Sequence, residues 1–102
     1  MSKNLNLIDV GFGNIIPTDE IIAIVSTTSA PVKRLIQKAK EDIGQKNEDG
    51  KEIGLFNLTN GRKARSVLMT DYGKVYLSSL QPETILAKSY DALSKNLLKK
   101  DN

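Results

Sequence analysis

Arg62, Lys63 and Arg65 put three cations within four residues, directly behind an Asn60-Gly61 pair. Asn-Gly tolerates the positive φ of a tight turn, so the pair marks a chain reversal. Apolar residues precede it (Ile53, Leu55, Phe56, Leu58) and follow it (Val67, Leu68, Met69), and no acidic residue stands between Glu52 and Asp71. This pattern predicts a β-hairpin over about 54–59 and 63–70 with its charge at the tip. Cations held on a rigid turn suit a polyanion, whose phosphates they neutralise with release of counterions. The same pattern also fits a hairpin end that is merely solubilising. A second cationic pair, Lys33 and Arg34, offers secondary phosphate contacts or simply a solvated helix face.

Other chemistry is scarce. The 102 residues contain neither Cys nor His. That removes thiol chemistry, disulfides, histidine general bases and nearly all zinc sites. Serines have no histidine to activate them. We therefore expect no catalytic residue, cofactor or metal site. Gly11-Phe12-Gly13 after a strand invites a phosphate-loop reading. It lacks the third glycine or the Gly-Lys-Ser/Thr that such loops need, and a turn explains it as well. Aromatic residues make up 5% of the chain, too few for a single-strand stacking platform.

Net charge is only +3, but it is unevenly spread. Lys33, Arg34, Lys38 and Lys40 form one basic block. Glu41, Asp42, Glu48, Asp49 and Glu52 outnumber Lys46 and Lys51 in the next stretch, and the basic tip follows. The alternation favours an anionic partner. No apolar run approaches the ~20 residues of a membrane span, and the N-terminus lacks a signal peptide's apolar core. The expectation is a cytoplasmic protein with no membrane partner and no small-molecule substrate.

These residues need a frame. Length predicts one domain over 1–102 with a small core that self-association would help. Alternation at 5–10 predicts a strand with Ile8 and Val10 on one face. Pro17-Thr18-Asp19 reads as a turn or one helical turn. The β-branched run Ile21–Val25 predicts a strand buried on both faces. Ser29 caps a helix that carries Val32, Leu35, Ile36, Ala39 and Ile43 on one side. Residues 44–54 form a polar, glycine-punctuated mobile loop. After the predicted hairpin, Asp71-Tyr72-Gly73 turns into a strand at 75–79, which would complete a three-strand meander. Pro82 and Glu83 open a final helix with Leu86, Tyr90, Leu93 and Leu97 in a narrow stripe, and about 98–102 should fray. The predicted class is α+β, an antiparallel sheet of about five strands with two main helices.

Several stretches together resemble one family. They are Val10–Ile16, Ile21–Ser26, Ser29–Ile36, Asn60–Arg65 and Leu77–Thr84, in order from about Leu7 to Ala87. They resemble the bacterial extracellular-matrix regulator RemA and its relatives. The resemblance implies a cytoplasmic, nucleoid-associated transcriptional regulator of biofilm-matrix genes, with a fold comparable to the LytTR DNA-binding domain. It further implies duplex DNA as partner and assembly into a homo-oligomeric ring, heptameric or octameric. The family's Gly-Arg-Arg-x-Arg motif falls on Gly61, Arg62, Lys63 and Arg65, beside Asn60. A ring scaffold for protein partners and an RNA-binding protein are the alternatives.

This sequence departs from the family pattern in three places. Lys63 keeps the charge of an arginine but not its bidentate fork. Glu20 stands where the family carries a basic residue, so that loop either points away from DNA or weakens binding. Segment 44–54 is longer than expected for the family.

Overall fold

A computed structural model describes residues 7–88 of the chain. Six strands, a single 3₁₀ turn and two helices follow one another, giving the expected α+β class. β1 (Leu7–Asp9) and β2 (Ile15–Pro17) form an antiparallel hairpin. The 3₁₀ turn Thr18–Glu20 then leads into β3 (Ile21–Ser26). α1 (Ala30–Glu41) starts at Ser29, whose hydroxyl accepts a hydrogen bond from the Val32 amide. β4 (Gly54–Asn57), β5 (Ser66–Thr70) and β6 (Lys74–Ser78) follow, and α2 occupies residues 82–88.

The larger sheet has the order β3-β5-β6-β4. β5 pairs antiparallel with β3 and β6, as expected of a hairpin through Asp71-Tyr72-Gly73. β4, however, pairs in parallel with β6, from Gly54↔Lys74 to Asn57↔Leu77. The expected 54–70 hairpin and the meander are therefore wrong. β6 lies between the two strands that would have paired, and residues 58–65 cross over its end. Two apolar strands around a turn carry no information about a third strand that will separate them.

Side chains alternate across this sheet with the two-residue period of a strand. One face presents Ile24, Phe56, Leu68 and Tyr76 to Ile8, Val10 and Ile16 of the small hairpin and to Ile85 of α2. The other presents Val25, Leu55, Val67, Val75 and Leu77 to Val32, Leu35, Ile36 and Ala39 of α1. Over the described residues 7–10 the expected faces are present, with Ile8 and Val10 buried. On α1 the expected apolar face holds for Val32, Leu35, Ile36 and Ala39, but Ile43 lies beyond the helix end and is exposed. The final helix instead buries Ile85, while Leu86 is exposed. Tyr90, Leu93, Leu97 and the fraying segment lie outside the described residues.

β3 is not buried on both faces. It is an edge strand, and a register shift between Ile21 and Ala23 bulges Ile22 outward, leaving it 65% exposed. Edge position and bulge reproduce two common features of strands that end a sheet. Segment 44–54 is internally hydrogen-bonded. The Asn47 side-chain carbonyl accepts from the amides of Asp49 and Lys51, and the backbones of Lys46 and Glu52 meet in an isolated antiparallel bridge.

Candidate functional site

The Asn57–Arg65 loop is fixed at both ends by the strand it crosses. The Leu58 amide donates to the Leu77 carbonyl and the Arg65 amide to the Ser78 carbonyl, at 2.9 and 2.8 Å. Between these anchors, the Asn57 side-chain carbonyl accepts from the amide and hydroxyl of buried Thr59. The Arg62 amide then closes a turn on the Thr59 carbonyl, with Asn60 and Gly61 at φ +55° and +84°. The Asn-Gly signal thus marks a real turn, although not a hairpin. Thr27, just before α1, donates its hydroxyl to the Ala64 carbonyl. The backbone is tied down while Arg62, Lys63 and Arg65 stay exposed. None of the three forms an ion pair among the described residues.

The tip of the β1–β2 hairpin comes to the same place. Gly11, Phe12 and Gly13 all have positive φ, +111°, +55° and +75°. Such a conformation suits the glycines, but for a bulky aromatic it costs on the order of 1–2 kcal/mol. Local bonds hold it. The Gly11 amide donates to the Asp9 carboxylate at 2.8 Å, and the Asn14 amide and side chain both donate to the Gly11 carbonyl. The Ser78 hydroxyl, fully buried at the end of β6, donates to the Val10 carbonyl at 2.7 Å. One strand end therefore positions both the basic loop and the glycine-flanked turn.

Between them lies an open cleft of about 830 Å³. Arg62, Lys63, Arg65 and Lys88 line it against the single carboxylate of Asp9. Lys88 reaches Asp9 only at 3.9 Å, with both side chains nearly half exposed. Such a pair contributes little and leaves Lys88 available. The Arg62 guanidinium sits 5.5 Å from the centre of the Phe12 ring, a cation–π distance. The cleft can hold an extended anion, with phosphates on the cations and an apolar group against Phe12.

Asn60 borders an adjoining hollow with Phe12, Asn14 and Asn57, and Gly61 serves the turn. Lys33 and Arg34 are exposed on α1 but do not line the cleft. Sequence reasoning missed Phe12 and Lys88. A large apolar residue between two turn glycines is a usable signal for the first. No local pattern brings Lys88 to Asp9.

Glu20 is at the opposite end of the sheet. β3 places its first residue beside Thr70 and its last beside Ser66, so the residue preceding Ile21 lies near the β5–β6 turn. There the Tyr72 hydroxyl donates to the Glu20 carboxylate at 3.1 Å. Burial, then the hydrogen bond and negative charge of Glu20, push the Tyr72 hydroxyl up to about 12. Glu20 does not line the basic cleft.

No described helix is long and apolar enough to cross a membrane. Among the described residues no cluster of His, Cys, Asp or Glu is placed to hold a metal ion. A family model described as "RemA-like: Extracellular matrix regulatory protein A-like" matches residues 7–88. Three relatives, each named "Putative regulatory protein", are 46% identical to the chain. That of Caldicellulosiruptor saccharolyticus aligns over 84 residues, 82% of this chain and 73% of its own. That of Fervidobacterium nodosum covers 85% and 83%, and that of Crocosphaera subtropica 81% and 81%.

Proposed function

The chain belongs to the RemA-like family, and on that premise we propose that it is a cytoplasmic, nucleoid-associated regulator that binds duplex DNA through its basic cleft as a homo-oligomer. The family and the names of its relatives support a regulatory rather than an enzymatic role. The observation that carries DNA binding is the convergence of Arg62, Lys63, Arg65 and Lys88 on one exposed cleft, with one carboxylate among them. Cations held close with too few carboxylates repel one another, and a polyanion relieves that repulsion.

Three loop cations neutralising about three phosphates give a log–log salt slope of only ~−2.7 on duplex DNA, too shallow for tight binding by one subunit. A ring repeats the cleft, and linked contacts multiply. Self-association is supported by the edge of β3, unpaired among the described residues, and by Leu7, Ile15, Ile22 and Leu86, apolar side chains left at the surface. Ile22 and Leu86 share one groove with Ile8, Ile21 and Ile24. DNA that follows a ring must bend, which favours deformable sequence. Matrix genes are the targets that the family's description suggests.

The test pairs light scattering with a salt-titrated mobility shift on duplex DNA, duplex RNA and single strands. Duplex DNA should bind best, with a salt slope steeper than −2.7 that scales with oligomer size. A strictly monomeric protein that binds duplex tightly would overturn the oligomer mechanism. Binding displaced by an acidic protein but not by bulk duplex would favour the scaffold alternative.

A further inference from the structure

Among the described residues, Phe12 joins neither apolar cluster of the core. It is 49% exposed, unlike the other described aromatics, which are buried or half-buried. Its backbone sits in the left-handed region, where glycine or asparagine would fit without strain. Its one cation–π neighbour is Arg62, at the rim of the cationic cleft. The chain thus combines a strained backbone with an exposed apolar ring, and it does so where the cations converge. Strain kept at such a place points to function.

We infer that Phe12 is a wedge that enters duplex DNA at a base step while the surrounding cations hold the phosphates. This rests on the DNA-binding reading of the cleft and deepens it by naming the group that meets the bases. Apolar side chains inserted between base pairs partly unstack them and kink the duplex. Pyrimidine–purine steps yield most easily, so the wedge selects TA and CA/TG steps without hydrogen-bond readout. The Gly11–Asn14 hydrogen bonds hold the backbone that carries the ring, and Arg62 beside it can neutralise a phosphate at the opened step. A single exposed ring suits one wedge better than a row of stacked bases, which requires successive aromatics.

The experiment uses the full chain and a duplex of about 30 base pairs containing TpA steps, long enough for a bend to be measured. 2-Aminopurine at those steps reports unstacking, and end-to-end energy transfer reports bending. The wild type should brighten 2-aminopurine and bring the duplex ends together. F12A should bind roughly tenfold more weakly, as expected when one base contact is lost. It should keep the wild-type salt slope but lose both the brightening and the bend. F12L, which keeps an apolar wedge, should retain most of both. If F12A does not fold by circular dichroism, F12N replaces it, because asparagine accepts the left-handed backbone. Wild-type binding to duplex with unchanged brightening and bend in F12A overturns the wedge and leaves the DNA-binding reading intact. Loss of the oligomer in F12A, or tighter wild-type binding to single strands than to duplex, also overturns it. No duplex binding by the wild type overturns the underlying reading itself.

Discussion

At the Thr70–Lys74 end of the sheet, polar side chains satisfy one another. Tyr72 donates to Glu20, Lys51 lies over the Tyr72 ring at 4.8 Å, and Asn47 donates to the Tyr72 carbonyl. At the Ser66–Ser78 end the backbone is pinned just as thoroughly, yet Arg62, Lys63 and Arg65 have no ionic partner among the described residues. The two ends differ in what is left unpaired rather than in rigidity. A surface optimised only for stability would distribute its carboxylates to both. Here the Glu20 carboxylate is spent at the closed end, and the open end sets only Asp9 against four cations, which leaves a net positive field.

The strongest way to break this contrast is to discharge the open end. The R62A/R65A double variant removes two charge-assisted contacts, each worth about 1.5–3 kcal/mol. Duplex affinity should fall roughly 10²-fold or more per subunit, and the salt slope should become shallower by about 1.8. Thermal stability should change by less than about 0.5 kcal/mol, since all three cations are surface side chains. A double variant that binds like wild type would remove the loop from the interface.

A matched pair of hydroxyl deletions sharpens the comparison further. Ser78 donates to the Val10 carbonyl and accepts from the Leu80 amide at the open end. Thr70 does the equivalent at the closed end, donating to the Lys74 carbonyl and accepting from its amide. S78A and T70V should each cost about 1–3 kcal/mol, because each leaves inner polar groups unpaired. A domain of this size loses about 4–8 °C in Tm per kcal/mol. Only S78A should also weaken DNA binding, by loosening the Gly11–Asn14 turn against the basic loop. Equal losses of affinity in both variants would mean that global stability, not local placement, controls binding.

How far these ends could be read from sequence depends on the range of the interactions that make them. The Asn60-Gly61 turn, the Ser29 cap, the apolar face of α1 and the 3₁₀ turn after Pro17 were all legible, because each is decided within one or two turns of chain. The cations were legible as a cluster. Their neighbours were not. Parallel pairing of β4 with β6 depends on a strand not yet reached in the sequence, and it is this pairing that turns the supposed hairpin tip into a crossover loop. The meeting of Phe12 with Arg62 likewise joins segments fifty residues apart through a buried serine. Ile22 resembled an interior residue because β-branched runs do not reveal which strand will lie at an edge.

Reversing the charge at the closed end should do little to binding. E20R replaces a carboxylate with a cation at the far end of β3 from the cleft. Beyond a Debye length, about 8–10 Å at moderate salt, its influence is largely screened. Duplex affinity should change by less than about twofold in ~0.15 M salt. A much larger gain would mean that DNA runs along the closed end as well, and the contrast between the ends would fail.

The smallest effect belongs to Tyr72 and appears only at high pH. Burial and Glu20 hold its hydroxyl at about 12, above the ordinary 10.0. Between those values the folded chain keeps a proton that the unfolded chain has released. Stability from this group is therefore complete below pH ~10 and declines as pH rises toward 12. Y72F has no proton to lose and should lack that component of the decline. The difference in tyrosinate absorbance between wild type and Y72F isolates the group from the other tyrosines. In E20Q the same transition should move to lower pH but stay above 10, because burial, the largest cause, remains. DNA affinity in E20Q at neutral pH should match wild type. If instead the transition is unmoved in E20Q, the Glu20 contact does not close this end, and the two ends differ less than their hydrogen bonds imply.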